Sequence, residues 1–154
     1  MRADHPTEAS LVNYSTTVNT TQGTLKNLRL VHGALLLATV LYAVLMWVIP
    51  AHAGDKPKQL FVITAGGLSF VIIAAGFAVR KKMIQPALEA LRTKPEDIGS
   101  LGHWRSGAIL SATLAEAVVL FGVVVHFLGG STIQSAGFWI AGAVTLLIWW
   151  PQAP

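Results

Sequence analysis

Four apolar runs, each long enough to cross a bilayer, constrain this chain more than any other feature. They cover residues 30–49, 60–79, 107–128 and 133–150. A span takes about 20 mostly apolar residues, and a helix satisfies all of its own backbone hydrogen bonds within the lipid. Only 12% of the residues are charged, against about 25% in soluble proteins. The sequence therefore predicts an all-α membrane protein with four transmembrane helices.

The tryptophans agree with these boundaries. Indole rings settle at the headgroup level of a membrane, where the apolar ring and the polar N–H both find a suitable environment. All five tryptophans of the chain lie near the ends of the apolar runs: Trp47, Trp104, Trp139, Trp149 and Trp150.

The basic residues predict the orientation. Cytoplasmic loops carry an excess of Lys and Arg. Nine of the eleven basic residues precede the first run or lie in the loop 80–106, and only Lys56 and Lys58 lie on the other side. Both termini are therefore expected in the cytoplasm, with the protein in the inner (plasma) membrane of the cell. Because the basic residues lie at the ends of the runs, the net charge of +4 does not predict a nucleic-acid partner.

The remaining segments divide the chain into a tail and a membrane domain. Residues 1–27 are rich in Thr, Ser and Asn without an apolar period, and we expect a flexible polar cytoplasmic tail before a membrane domain at 28–154. Within the loop 80–106, "QPALEALRTKPED" predicts one or two short helices at the membrane surface. A signal-peptide reading of residues 51–53, Ala-His-Ala, is disfavoured because the preceding apolar run is longer than a usual signal core.

An internal repeat relates the two halves. "GALLLATVLYAVL" from Gly33 and "GAILSATLAEAVV" from Gly107 agree at seven of thirteen positions with an offset of 74. "AGGLSFVI" from Ala65 and "AGAVTLLI" from Ala141 align with an offset of 76. This order predicts a tandem duplication of a helical hairpin, in which Glu116 replaces Tyr42.

Glu116 is the acidic residue in the middle of the third run. An ionised side chain at the bilayer centre costs about 2.5–3.5 kcal/mol on insertion scales, so burial favours the neutral acid. No Lys or Arg lies at that depth. The predicted ion-binding group is Glu116 with the hydroxyls of Tyr42 and Thr113. Four further hydroxyls are possible partners: Thr39, Thr64, Ser69 and Thr145.

Two interpretations of Glu116 stay open. In the first, it binds a proton or cation reversibly, and the protein is an ion-handling or accessory subunit of an energy-transducing membrane complex. In the second, it is a hydrogen-bonding staple in a non-catalytic structural or assembly protein. In both, the partners are the lipid bilayer and other membrane subunits or further copies of this chain.

A resemblance to a known family bears on the choice. The segments "QPALEALRT" and "ILSATLAEAVVLFGVVVHFL", within residues 83–128, resemble the ring-forming c subunit of rotary ATP synthases. That family has a short polar loop of the "RQP" type and "ALAEA" around an ion-carrying glutamate. The matching residues are Gln85 and Pro86 in the loop, and Ala115, Glu116 and Ala117 in the helix. The resemblance implies that Glu116 binds a proton or a sodium ion. The longer loop and the additional spans depart from the family's pattern.

Two histidine pairs could in principle ligate a haem or a metal. His32 and His103 lie at the cytoplasmic edge of the spans, whereas His52 and His126 lie at the outer edge. The two that reach the apolar region, His32 and His126, lie at opposite membrane faces and cannot share a haem. With no nucleophile–base set and no phosphate loop either, we expect no cofactor and no enzymatic activity.

Overall fold

All regular secondary structure in the described residues is helical, which confirms the all-α part of the predicted class for them. This computed structural model describes the backbone of residues 8–49 and 59–154, and the side chains of residues 21–49 and 59–154. The α-helices are α1 (Glu8–Val48), α2 (Gln59–Val79), α3 (Gln85–Thr93), α4 (Ile98–Phe127) and α5 (Thr132–Ile148). A π-helical turn, Arg80–Ile84, joins α2 to α3 without interruption.

Three helical segments are long and apolar enough to cross a membrane: Thr21–Val48, Gln59–Thr93 and Ile98–Phe127. They correspond to the first three predicted spans. The fourth predicted span coincides with α5, which is apolar but has only 17 residues. At about 1.5 Å per residue it measures about 25 Å, somewhat less than a hydrocarbon core of about 30 Å.

The predicted tail enters the first helix. Residues 1–7 lie outside the described residues, and from Glu8 the backbone is helical and continuous with the first span. Near the end of this segment, the Thr21 hydroxyl donates a hydrogen bond to the carbonyl of Pro95 at 3.3 Å. The flexibility of residues 1–27 stays a prediction.

The π-helical turn precedes a proline. Pro86 has no N–H and its ring would crowd the carbonyl four residues earlier, which strains a regular α-helix at this point. The wider turn resolves this, and the N–H of Gln85 donates to the carbonyl of Arg80, five residues back. The helix then continues as α3, whose Ala87 and Leu91 are buried.

The loop 80–106 is thus mostly helical and packs onto the bundle. Leu28 of α1, Leu91 of α3 and Trp104 of α4 are buried in one apolar cluster, with Ile84 and Ala87. The sequence predicted one or two short surface helices here, and the described structure has one, α3. We call this end of the bundle, which carries Arg29, Arg80 and Arg105, the basic end.

At the opposite end, a tight turn joins α4 to α5. Gly129 adopts a left-handed conformation with φ 81°. The N–H of Gly130 donates to the Val125 carbonyl and that of Gly129 to the His126 carbonyl, a Schellman arrangement that satisfies the free carbonyls of α4. Ser131 and Gln134 then form a capping box at the start of α5.

Helix α4 is the centre of the bundle. It contacts α1, α2, α3 and α5, and its closest partner is α5. By contrast, no Cα atom in the described part of α1 lies within 8 Å of one in α2. The two hairpins that the repeat relates are therefore packed differently: α4 lies directly on α5, whereas α1 and α2 each pack on this central pair.

Glycines explain why α4 and α5 approach so closely. A β-carbon at Gly142 of α5 would lie 2.8 Å from the carbonyl oxygen of Ala115 in α4. Likewise, one at Gly122 of α4 would lie 2.7 Å from the carbonyl oxygen of Ser135 in α5. Small residues permit this close backbone packing between membrane helices.

The aligned residues of α1 differ from those that allow the close packing of α4 on α5. With the offset of 74, the positions of Ala115, Val119 and Gly122 correspond to Leu41, Leu45 and Val48 of α1. These three larger side chains are all exposed. The close α4–α5 crossing thus has small residues where two of the aligned positions of α1, Leu41 and Val48, carry larger, exposed side chains.

Candidate functional site

Glu116 lies on α4 at the boundary between its packed face and its exposed face. Ala112, one turn earlier, and the adjacent Ala115 are buried, whereas Thr113 and Leu120 are exposed. The Glu116 side chain itself is half-buried. The described part of the chain supplies its carboxyl group with no hydrogen-bond or ion-pair partner.

The neighbouring helix on this side is α1. Leu35 and Leu36 of α1 pack against the buried cluster that contains Ala112 and Ala115. Glu116 therefore lies beside the α1–α4 contact and next to surface that no other described helix covers.

A contact at the opposite end sets the register of these parallel helices. The Nε2 atom of His126 lies 3.0 Å from the carbonyl oxygen of Ile49, a separation of 77 residues. The same offset places Glu116 level with Thr39. Tyr42, three residues further along α1, then lies about 4.5 Å nearer to the opposite end. Tyr42 is half-buried and, among the described residues, its hydroxyl has no hydrogen-bond partner.

The other predicted hydroxyls bond within their own helices. Thr113 is exposed, and its hydroxyl donates to the carbonyl of Ile109 at 3.0 Å. The same pattern, donation to the carbonyl four residues earlier, is found at Thr39, Thr64, Ser69 and Thr145. Within the described residues no hydrogen bond joins Glu116, Tyr42 and Thr113, and their grouping into one site stays a prediction.

The sequence did not indicate a second polar group, at the basic end. His32 of α1 is only 2% exposed, and its Nε2 lies 2.8 Å from the carbonyl oxygen of Leu146. Arg80 donates to the carbonyl oxygen of Trp149 at 3.3 Å. Both therefore satisfy carbonyls at the end of α5, and the Arg80 charge also complements the negative end of that helix.

Two of the histidines, His32 and His126, are thus buried and hydrogen-bonded. His126 and His32 each use Nε2 on a helix-end carbonyl, at opposite ends of the bundle. His103 is exposed, and His52 lies outside the described residues. Within the described chain no cluster of three or more His, Cys, Asp or Glu side chains could hold a metal ion. The spacing of Leu28, His32 and Thr39 along the buried stripe of α1 is the sequence signal that could have indicated the burial of His32.

Comparison of the chain with known protein families, with curated proteins and with solved structures gave no match. The resemblance of residues 83–128 to the c subunit stays a prediction.

Proposed function

We propose that the protein is a small integral membrane subunit that binds a proton or a cation reversibly at Glu116. It serves as an ion-handling or accessory part of an energy-transducing membrane complex. The observation that carries this proposal is the half-buried Glu116 carboxyl group, which has no partner in the described chain. An unbalanced carboxylate in a membrane is costly, and a bound proton or cation removes that cost.

The surroundings of Glu116 support exchange with the outside of the bundle. Thr113 and Leu120 on the same side of α4 are exposed, so the carboxyl group is not enclosed by the helices of this chain. A group at such a boundary can take up and release an ion when a partner subunit or a lipid-facing water pathway meets it. The resemblance of Gln85, Pro86 and the Ala115–Ala117 segment to a c subunit supports the same role.

We also propose that α5 is a fourth span and that both termini are cytoplasmic. Antiparallel packing of α5 along α4 supports the first point, and so does the anchoring of its end by His32 and Arg80. The nine basic residues on one side against two on the other support the second.

A hairpin duplication is proposed for the origin of the fold. Ser69 and Thr145 are equivalent at the offset of 76, and each donates to the carbonyl of an equivalent alanine, Ala65 or Ala141. The structural register of α1 and α4 also differs from the offset of 74 by less than one helical turn.

Labelling with a hydrophobic carbodiimide tests the role of Glu116. Such reagents modify protonated carboxyl groups that are reachable from lipid. We expect modification of Glu116 at low pH, a decrease as the pH rises, and no modification of that site in Glu116→Gln. Mass spectrometry of the purified protein in lipid measures the extent of modification in each case. Protection by sodium would identify the ion.

Glu89 provides the internal control, since it is an exposed carboxyl group at the basic end. It should remain unmodified by a reagent confined to the lipid. Absence of Glu116 modification at every pH would contradict the proposed ion site.

The second candidate is a non-catalytic assembly protein in which Glu116 hydrogen-bonds a helix of another subunit. This second function is favoured by the exposed apolar face of α1, which partner helices could cover. It includes Leu37, Leu41 and Val44. In that case Glu116→Gln should keep the complex intact and Glu116→Leu should dissociate it. An ion site predicts instead that Glu116→Gln abolishes ion binding while the fold is retained.

A further inference from the structure

A cavity at the opposite end of the bundle is separate from Glu116. It has a volume of about 370 Å³ and lies between α1 and α5, with His126 of α4 in its wall. Pockets that bind small molecules measure about 300–1,000 Å³ and are mostly apolar with a few polar groups. This cavity is therefore large enough for a single substituted ring.

The walls are apolar and partly aromatic. Ala43 and Met46 of α1 face Ala136 of α5 across the cavity, and the indole side chains of Trp47 and Trp139 complete the lining. Trp139 uses its only donor, Nε1–H, on the carbonyl of Thr39 at 2.9 Å. Aromatic walls of this kind favour planar ligands, because rings pack against one another at low entropic cost.

Two polar side chains of the cavity, His126 and Ser135, each offer an acceptor, whereas Thr132 and Trp47 offer donors. A carbonyl oxygen only accepts, so the contact with Ile49 requires that Nε2 of His126 carry the hydrogen. In the neutral ring, Nδ1 is then an acceptor. The hydroxyl of Ser135 is committed as a donor to the carbonyl of Ser131 at 3.3 Å, which leaves its oxygen as an acceptor too.

The Nδ1 atom of His126 is not fully buried, although the residue as a whole is only 8% exposed. Within the described residues, the only fully buried side-chain nitrogen or oxygen without a partner is Nε1 of Trp149. Nδ1 of His126 has no partner in that part of the chain, so it is not sealed inside the protein.

We propose that this cavity binds the ring of a membrane-soluble hydroquinone, with a ring hydroxyl donating to Nδ1 of His126. A hydroquinone is planar, and its two hydroxyl groups can donate to the two acceptors on His126 and Ser135. The oxidised quinone has the same ring but only acceptors, so it cannot form this bond. The bond to Nδ1 therefore favours the reduced form, and the alkyl tail extends into the lipid.

Calorimetric titration of the purified protein in lipid nanodiscs, without oxygen, tests the hydrogen bond. The probe is a decyl-substituted dimethoxy-methyl-benzohydroquinone, compared with its quinone and with its dimethyl ether. Since one net hydrogen bond corresponds to about a 2- to 12-fold change in Kd, the quinone and the ether should bind weaker by that ratio. Equal binding of all three, or no binding of the hydroquinone, would overturn the proposal.

Two matched variants locate the site. Ala43→Phe fills the cavity and should weaken hydroquinone binding at least tenfold. Ala34→Phe adds the same volume to an exposed position of α1 and should leave binding unchanged. Ala136→Phe replaces Ala43→Phe if that variant does not fold. Wild-type binding by a folded cavity variant would contradict the assignment.

A competition with monoolein tests the need for a ring. This lipid carries hydroxyl groups but has no aromatic ring. Displacement of the hydroquinone at equal concentration would show a general lipid site and overturn the hydroquinone assignment, whereas displacement only at large excess agrees with it.

Discussion

At the residue scale, Asp97 determines where α4 begins. Its carboxylate accepts hydrogen bonds from the backbone N–H groups of Gly99 and Ser100, both at 3.3 Å, and from the Ser100 hydroxyl. The Ser100 hydroxyl and, to a smaller extent, the backbone donors lower the pKa of Asp97. The helix start is thus stabilised by the ionised form of this residue.

This predicts a specific sensitivity to acid. Because the pKa of Asp97 is lowered in the folded state, its contribution is present above the unfolded pKa of about 3.9 and is lost as the pH falls through the lowered value. Asp97→Asn retains a capping oxygen that does not titrate. We expect the thermal midpoint, measured by circular dichroism, to fall less between pH 6 and pH 3 in Asp97→Asn than in the wild type. An equal fall would count against this account.

A second residue-scale prediction concerns the helix crossing. In Gly142→Ala, the new β-carbon would meet the carbonyl of Ala115 and the backbone nitrogen of Val119, both at 2.8 Å. Overpacking of this kind costs about 1–3 kcal/mol, and denaturant unfolding in micelles measures the free energy. Gly137→Ala in the same helix is the control, because nothing lies within 4 Å of its new carbon. Similar effects for the two variants would refute the role of the close crossing.

At the element scale, the end of α5 depends on side chains from other helices. His32→Ala leaves the Leu146 carbonyl without its partner, and we expect a loss of about 1–3 kcal/mol in the free energy of unfolding. His32→Gln, which keeps an N–H donor, should recover part of that loss. The exposed His103→Ala should change little. If the alanine and glutamine variants were equally destabilised, packing rather than the hydrogen bond would explain the effect.

The C-terminal ends of two spans were more predictable than the starts of the helices, since α1 and α4 begin at Glu8 and Ile98 and not at 30 and 107. The expected runs 60–79 and 107–128 end within one residue of α2 and α4, because hydropathy is a local property of the chain. The burial of His32 and the separation of α1 from α2 depend on which helices meet. Such pairing depends on the side-chain volumes of a few residues that face each other, such as Gly142 and Ala115. A single sequence does not show which residues face each other.

At the scale of the whole molecule, the orientation can be tested directly because the chain has no cysteine. A membrane-impermeant maleimide added to intact cells should label Lys56→Cys, and it should label Arg92→Cys only after permeabilisation. This follows from the distribution of basic residues between the two sides. Labelling of Arg92→Cys in intact cells would reverse the proposed topology.

The candidate site was predictable only in part. A lone acid in an apolar run identified Glu116 as the residue to examine, and the structure finds it half-buried on the helix at the centre of the bundle. The prediction that hydroxyl groups pair with Glu116 did not take local hydrogen bonding into account. The hydroxyls of Thr113 and the other described threonines of the predicted set donate to carbonyls of their own helices. The cavity at the end opposite the basic end could not be predicted either, since its walls come from three helices distant in sequence.

The central position of α4 has a consequence for biosynthesis. The ribosome completes α1 and α2 before it reaches Ile98, and these two helices do not contact each other within the described residues. During that interval, each must be stable as a single helix in the lipid or be held by the insertion machinery. Assembly of the bundle then waits for α4, so a truncation before residue 98 should yield inserted helices that keep only the contacts of α1 with the segment 84–95.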